Sequence, residues 1–171
     1  GPQRVTAADL DGDGEIDLAV ARGGPYSRLT VMLGDRDGHL RAIDAGPLGR
    51  SDARASVAAV DGNGDGKRDL VSAYRAVVRL GHGDGTFGAP RAWSDAPAYA
   101  LAAGDLDGDG ATDLALAPLD ARRLDLLRGG GDGTFSRLGA IALDGAPRDV
   151  VAADLDGDGK LDLAVGVADG S

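Results

Sequence analysis

An acidic decapeptide occurs four times in this chain, and its recurrence limits the possible folds more than any other feature. "DLDGDGEIDL" begins at Asp9, "DGNGDGKRDL" at Asp61, "DLDGDGATDL" at Asp105 and "DLDGDGKLDL" at Asp154. The intervals are 52, 44 and 49 residues. The flanks repeat too: Val5, Val57, Leu101 and Val150 stand four residues before the first Asp, and Leu18, Leu70, Leu114 and Leu163 follow the last. A second element lies between the acidic ones, as "LGDRDGHL" at 33–40, "LGHGDGTF" at 80–87 and "RGGGDGTF" at 128–135. Asp-Gly between apolar runs signals a hairpin, because the tight turns that join antiparallel strands need positive φ.

These elements divide one repeat into four short strands, near 4–9, 17–21, 28–34 and 39–44. The acidic loop joins the first two and the Asp-Gly turn joins the last two. No segment has helical spacing of useful length. Four strands every 40–50 residues predict an all-β fold, a β-propeller of four-stranded antiparallel blades. The blades fall at about 1–50, 51–96 and 97–145, with half of a fourth at 146–171. Pro2 and Pro147 each stand seven residues before the first Asp of a loop, so the opening Gly-Pro reads as part of the repeat. The small residues of the second strands suit sheets packed between neighbouring sheets. Three and a half blades leave open sheet faces and edges. Further blades outside this segment, or self-association, are expected to cover them. The chain does not begin with Met and reads as a processed or excised segment.

The formal charge of −10 argues against nucleic-acid and anionic-membrane partners. There is no cysteine, which excludes disulfides and thiolate metal sites. No apolar run approaches the roughly 18–20 residues of a membrane span.

Crowded carboxylates repel unless a positive charge lies among them. Counting from the first Asp, side-chain oxygens fall at positions 1, 3, 5 and 9 of each loop. They are Asp9, Asp11, Asp13 and Asp17; Asp61, Asn63, Asp65 and Asp69; Asp105, Asp107, Asp109 and Asp113; and Asp154, Asp156, Asp158 and Asp162. Gly at position 6 permits a sharp bend. The carbonyl at position 7 (Glu15, Lys67, Ala111 or Lys160) can add a further ligand. Hard oxygen donors without nitrogen or sulfur select Ca²⁺ over transition metals, and Mg²⁺ prefers a more rigid, hydrated octahedron. An EF-hand would need Glu at position 12, where Val20, Ser72, Leu116 and Val165 stand. Four Ca²⁺ ions would bring the charge from −10 to −2. With Asn63 in place of an Asp, the second loop is expected to bind most weakly and to empty first on chelation.

D-x-D-G-D-G-x-x-D-L and G-D-G-T-F together resemble the FG-GAP/VCBS repeat family, the blades of the integrin α-subunit propeller and of many bacterial surface proteins. The resemblance implies a propeller, usually seven-bladed in integrins, with calcium in the loops between the first and second strands. It also implies an extracellular, cell-surface or periplasmic setting and roles in adhesion or ligand binding. Leu40 stands where the second and third repeats have the motif phenylalanine.

A protein or carbohydrate ligand is therefore expected, with calcium mainly structural. The alternative of a propeller lectin needs exposed aromatic rings for sugars. Trp93, Tyr26, Tyr74 and Tyr99 do not recur at the blade spacing. An enzyme is not expected, because His39 and His82 sit in turns and no nucleophile–base spacing or phosphate loop occurs. A metal-dependent hydrolase is the least favoured reading.

Overall fold

The computed structural model describes residues 2–22, 24–51, 56–74, 76–93, 97–119 and 121–168; the side chains of 2–3, 24–26 and 48–51 lie outside that description, so Tyr26 is placed by its backbone alone. Fourteen strands occur among the described residues, and no helix. The first sheet is β1 (Pro2–Ala8), β2 (Asp17–Arg22), β3 (Gly24–Gly34) and β4 (Leu40–Ser51). The second is β5 (Val57–Val60), β6 (Asp69–Ser72), β7 (Val77–Arg79) and β8 (Arg91–Ala92). The third is β9 (Ala98–Gly104), β10 (Asp113–Pro118), β11 (Arg123–Gly129) and β12 (Phe135–Ala142). The fourth is the pair β13 (Ala146–Ala153) and β14 (Asp162–Ala168). Within every sheet the strands lie side by side in chain order and pair antiparallel.

The outer strands differ in length from the sequence expectation. β4 runs on to Ser51 because the β3–β4 ladder absorbs irregularities, one between Leu29 and Thr30 opposite Gly46 at φ 92°. A glycine there supplies the positive φ that a bulge uses. β8 shrinks to two residues, following Gly88-Ala89-Pro90, where Pro90 has no amide to offer a ladder. Pro2 pairs with Arg22 and Pro147 with Val167, so the opening proline occupies the position its repeat predicts.

The sheets pack face to face in series. β1 contacts β5, β5 contacts β9 and β9 contacts β13, which aligns the first strands of successive repeats. Three apolar clusters fill the spaces between them. Leu10, Ala19, Leu29, Val31, Val57 and Leu70 join the first sheet to the second. Val71, Val78, Leu101, Leu114, Leu116 and Phe135 join the second to the third, and Ala100, Ala115, Leu124 and Val150 join the third to the fourth. Sandwiching shows in the second strands. β6 and β10 are buried along their whole length, whereas β2 alternates between buried and partly exposed positions until its exposed last residue. Small side chains let neighbouring sheets approach with few voids. Arg79 adds a polar tie: buried in the second sheet, its Nη2 donates to the Pro47 carbonyl of the first at 2.7 Å.

Candidate metal centres in the acidic loops

The loops share one hydrogen-bond scheme, built by the carboxylates at positions 1 and 9. The position 1 carboxylate accepts from the amides at positions 4 and 6. For Asp9 these are Gly12 N–H at 2.7 Å and Gly14 N–H at 3.0 Å. Asp61, Asp105 and Asp154 repeat the pattern with Gly64 and Gly66, Gly108 and Gly110, and Gly157 and Gly159. Wrapping backbone so tightly around one carboxylate needs positive φ at both glycines, and all eight lie between 72° and 87°.

The position 9 carboxylate works from beneath. Asp17, Asp69 and Asp113 are fully buried at the starts of β2, β6 and β10. One oxygen accepts from the amide at position 2: Leu10 at 2.7 Å, Gly62 at 2.9 Å and Leu106 at 3.0 Å. The other accepts from the glycine that ends, or closely follows, the third strand: Gly34 at 2.8 Å, Gly81 at 2.7 Å and Gly129 at 2.8 Å. Each buried aspartate thereby joins its loop to its third strand. Asp162 keeps the loop bond, to Leu155 N–H at 3.0 Å. Those strand-end glycines were missed in the reading of the loops alone, although the pairs Leu33-Gly34, Leu80-Gly81 and Arg128-Gly129 recur at fixed places.

The remaining acids complete the rim. In the first loop, ligand atoms of Asp9, Asp11 and Asp13 lie within 4.8 Å of one another; in the third, those of Asp105, Asp107 and Asp113; in the fourth, those of Asp154, Asp156 and Asp162. The second loop, with Asn63 in place of an acid, brings no such trio together among the described residues. There Asn63 Nδ2 donates to Asp65 at 3.2 Å. At position 5, Asp13, Asp65, Asp109 and Asp158 each accept from the position 7 amide, belonging to Glu15, Lys67, Ala111 and Lys160.

The electrostatics of the first two loops differ accordingly. Desolvation pushes the Asp11 carboxyl above its ordinary range, and the nearby Asp17, Asp13 and Asp9 add to the rise against the opposing Asp13 N–H bond. Asp65 is lowered by the Lys67 N–H bond, the Asn63 amide and the Lys67 charge. Burial raises Asp69 despite its bonds from Gly81 and Gly62.

The donors fit a hard divalent cation. They are all oxygen, several are charged, and they converge on a turn shaped by its own amides. A carboxylate oxygen that accepts one N–H retains a second lone pair for a metal. The position 7 carbonyls are supplied by the same turns.

Two clefts lie between successive repeats beside these loops. One of about 630 Å³ is lined by Asp9, Gly12 and Ile16 on one side and Gly66, Lys67 and Gly83 on the other. Its counterpart, of about 570 Å³, is lined by Asp61 and Gly64 facing Gly110, Ala111, Thr112 and Gly131. Thr112 Oγ1 donates to the Asp61 carbonyl at 2.8 Å and Gly133 N–H to the Gly62 carbonyl at 3.1 Å, binding the second loop to the third repeat. Trp93 and Tyr99 are each engaged by a neighbouring side chain. Trp93 meets Phe135 edge-on at 6.2 Å, and Arg148 lies 5.0 Å from the centre of the Tyr99 ring.

Among solved structures, the chain is similar to that of an Agrocybe aegerita lectin described as specifically recognising non-reducing terminal N-acetylglucosamine. The two are 22% identical with a TM-score of 0.62, over 92% of this chain and 44% of the lectin chain. At that identity the likeness is one of fold. No curated protein matches significantly. A model of the FG-GAP-like repeat matches residues 9–72, 61–116 and 105–165, each match running from one acidic loop through the next. The chain belongs to the FG-GAP-like repeat family.

Proposed function

We propose that this chain is a calcium-stabilised β-propeller module acting in an extracellular, cell-surface or periplasmic setting, where it serves adhesion or ligand binding. The observation that carries the reading is the common architecture of the four loops. Each wraps a position 1 carboxylate in its own amides, and the first, third and fourth gather two further carboxylates close to it. Calcium is structural here: it neutralises the loop and pins the first strand to the second, so its binding free energy becomes folding free energy. No catalytic role is assigned. His39 and His82 are exposed turn residues, and His39 faces Asp35 at 3.4 Å.

Thermal unfolding in Ca²⁺ and in chelator, with the bound metal counted by native mass spectrometry, tests the reading. Saturating Ca²⁺ at a hundred times Kd is expected to add about 2.7 kcal/mol per occupied site. Identical melting curves with and without chelator, and no bound metal, would refute it.

A carbohydrate ligand is the second reading, favoured by the likeness of fold to a lectin and by the repeated clefts beside the loops. The engaged positions of Trp93 and Tyr99 argue against sugar stacking on those rings. A glycan array with and without Ca²⁺ tests this: selective, calcium-dependent sugar binding supports a lectin, and uniform silence counts against one.

A further inference from the structure

The four loops are alike in backbone, but among the described residues only the third has a cation in direct contact with its position 3 and position 5 carboxylates. Arg128 stands just before Gly129 at the end of β11, where the other repeats have Leu33 and Leu80. Those leucines turn toward the following repeat: a Cβ on Gly85 would stand 2.7 Å from Leu33, and one on Gly133 would stand 2.9 Å from Leu80. Arg128 turns instead over the third loop. Its Nη2 lies 2.7 Å from Asp107 Oδ2 and 3.1 Å from Asp109 Oδ2, and its Nε donates to Asp109 at 3.3 Å. The guanidinium thus spans positions 3 and 5. Among the described residues, no comparable ion pair reaches the ligand carboxylates of the other loops; Arg36 meets only the side chain of Glu15, at position 7.

Counting the carboxylates at positions 1, 3, 5 and 9 against a cation in direct contact with them sorts the loops. The first and fourth present four carboxylates each. The second presents three, because of Asn63. The third presents four, offset by one guanidinium, which leaves it level with the second. We propose that Arg128 is a resident counter-ion of the third loop, holding Asp107 and Asp109 together without metal and competing with Ca²⁺ for them. The loops therefore load in two classes, the outer pair tightly and the inner pair weakly. This inference rests on the calcium reading above. The side chain is 48% exposed, so the guanidinium has room to swing off as the ion enters. A unit charge about 4 Å away changes an equilibrium by roughly fivefold in bulk water and by more near a protein surface.

The test replaces Arg128 with leucine, the residue of the other repeats, and separately with glutamine, which keeps polarity without charge. Calorimetric Ca²⁺ titration of the wild-type chain is expected to resolve two tight and two weaker sites. R128L and R128Q are expected to show three tight sites and one weaker, the third loop gaining about tenfold in affinity. In chelator both variants are expected to melt below the wild type, and to gain more than it does when Ca²⁺ is restored. Calcium bound at four sites with unchanged classes and unchanged chelator melting in both variants would overturn the proposal while leaving the calcium reading intact. Calcium bound at none of the loops in the wild type would overturn both.

Discussion

At the scale of single residues, each loop depends on a buried aspartate and on a glycine far from it in sequence. Gly34, Gly81 and Gly129 donate to Asp17, Asp69 and Asp113, and each also passes close to the carbonyl at position 8, of Ile16, Arg68 or Thr112. A Cβ on Gly129 would collide with the Thr112 backbone, which has no freedom to move aside. Gly129→Ala is therefore expected to destabilise the chain by about 1–3 kcal/mol, the usual penalty of overpacking. Gly139 in β12 has nothing within 4 Å of its would-be Cβ, so Gly139→Ala should cost far less. Denaturant unfolding of the pair checks this, and equal losses would count against a steric cause. The loop carboxylates were legible in the sequence because they recur at alternate positions within nine residues. Their strand-end partners were harder to see, since a lone glycine does not reveal which distant carboxylate its amide meets.

Among elements, the Asp-Gly turns show why the motif continues into Thr-Phe. Asp84 accepts from both the amide and the hydroxyl of Thr86, and Asp132 does the same with Thr134. The threonine hydroxyl and then its amide hold both carboxyls below their ordinary range. In the first turn His39 replaces the threonine, and Asp35 caps the turn instead, accepting from Asp37 N–H and His39 N–H. A lowered carboxyl adds its stabilisation fully above the unfolded value and loses it as pH falls through the folded one. Thr134→Ala is expected to return Asp132 toward the ordinary aspartate range, so that this contribution shrinks and its loss is complete at a higher pH. Carboxyl NMR titration measures it, and an unmoved Asp132 would show that the hydroxyl is irrelevant. The phenylalanine has a separate task. Phe135 fills the space over Gly62 of the preceding loop, and Phe87 packs with the cluster containing Leu10. Leu40, in the first of the described sheets, is half exposed.

For the molecule as a whole, among the described residues the first and fourth sheets are each covered by another sheet on one face only. Val5 is 60% exposed, whereas its repeat equivalents Val57, Leu101 and Val150 are 7%, 6% and 3% exposed. At the other end Val151 is 61% exposed against 6% for Ala102, and Ala164 is exposed where Ala115 is fully buried. These faces are of the kind that pack together at the three internal junctions. Light scattering of the chain is expected to show concentration-dependent association that Val5→Glu or Val151→Glu reduces without unfolding, since both side chains are already in solvent. A chain that stays monomeric at millimolar concentration, or variants that associate as the wild type does, would contradict this.

The sequence by itself determined the repeat, the all-β sheets joined by acidic loops, and the side-chain oxygens at positions 1, 3, 5 and 9. Each of these is written in local order, as strand alternation, Asp-Gly turns and carboxylates at alternate positions. Tertiary structure decided what no local pattern contains. It joined Asp113 to Gly129, set Arg128 over Asp107 and Asp109, and buried Val57 while leaving Val5 in water. Such relations depend on which strand lies beside which and which sheet covers which, and they arise only when residues distant in the chain come together.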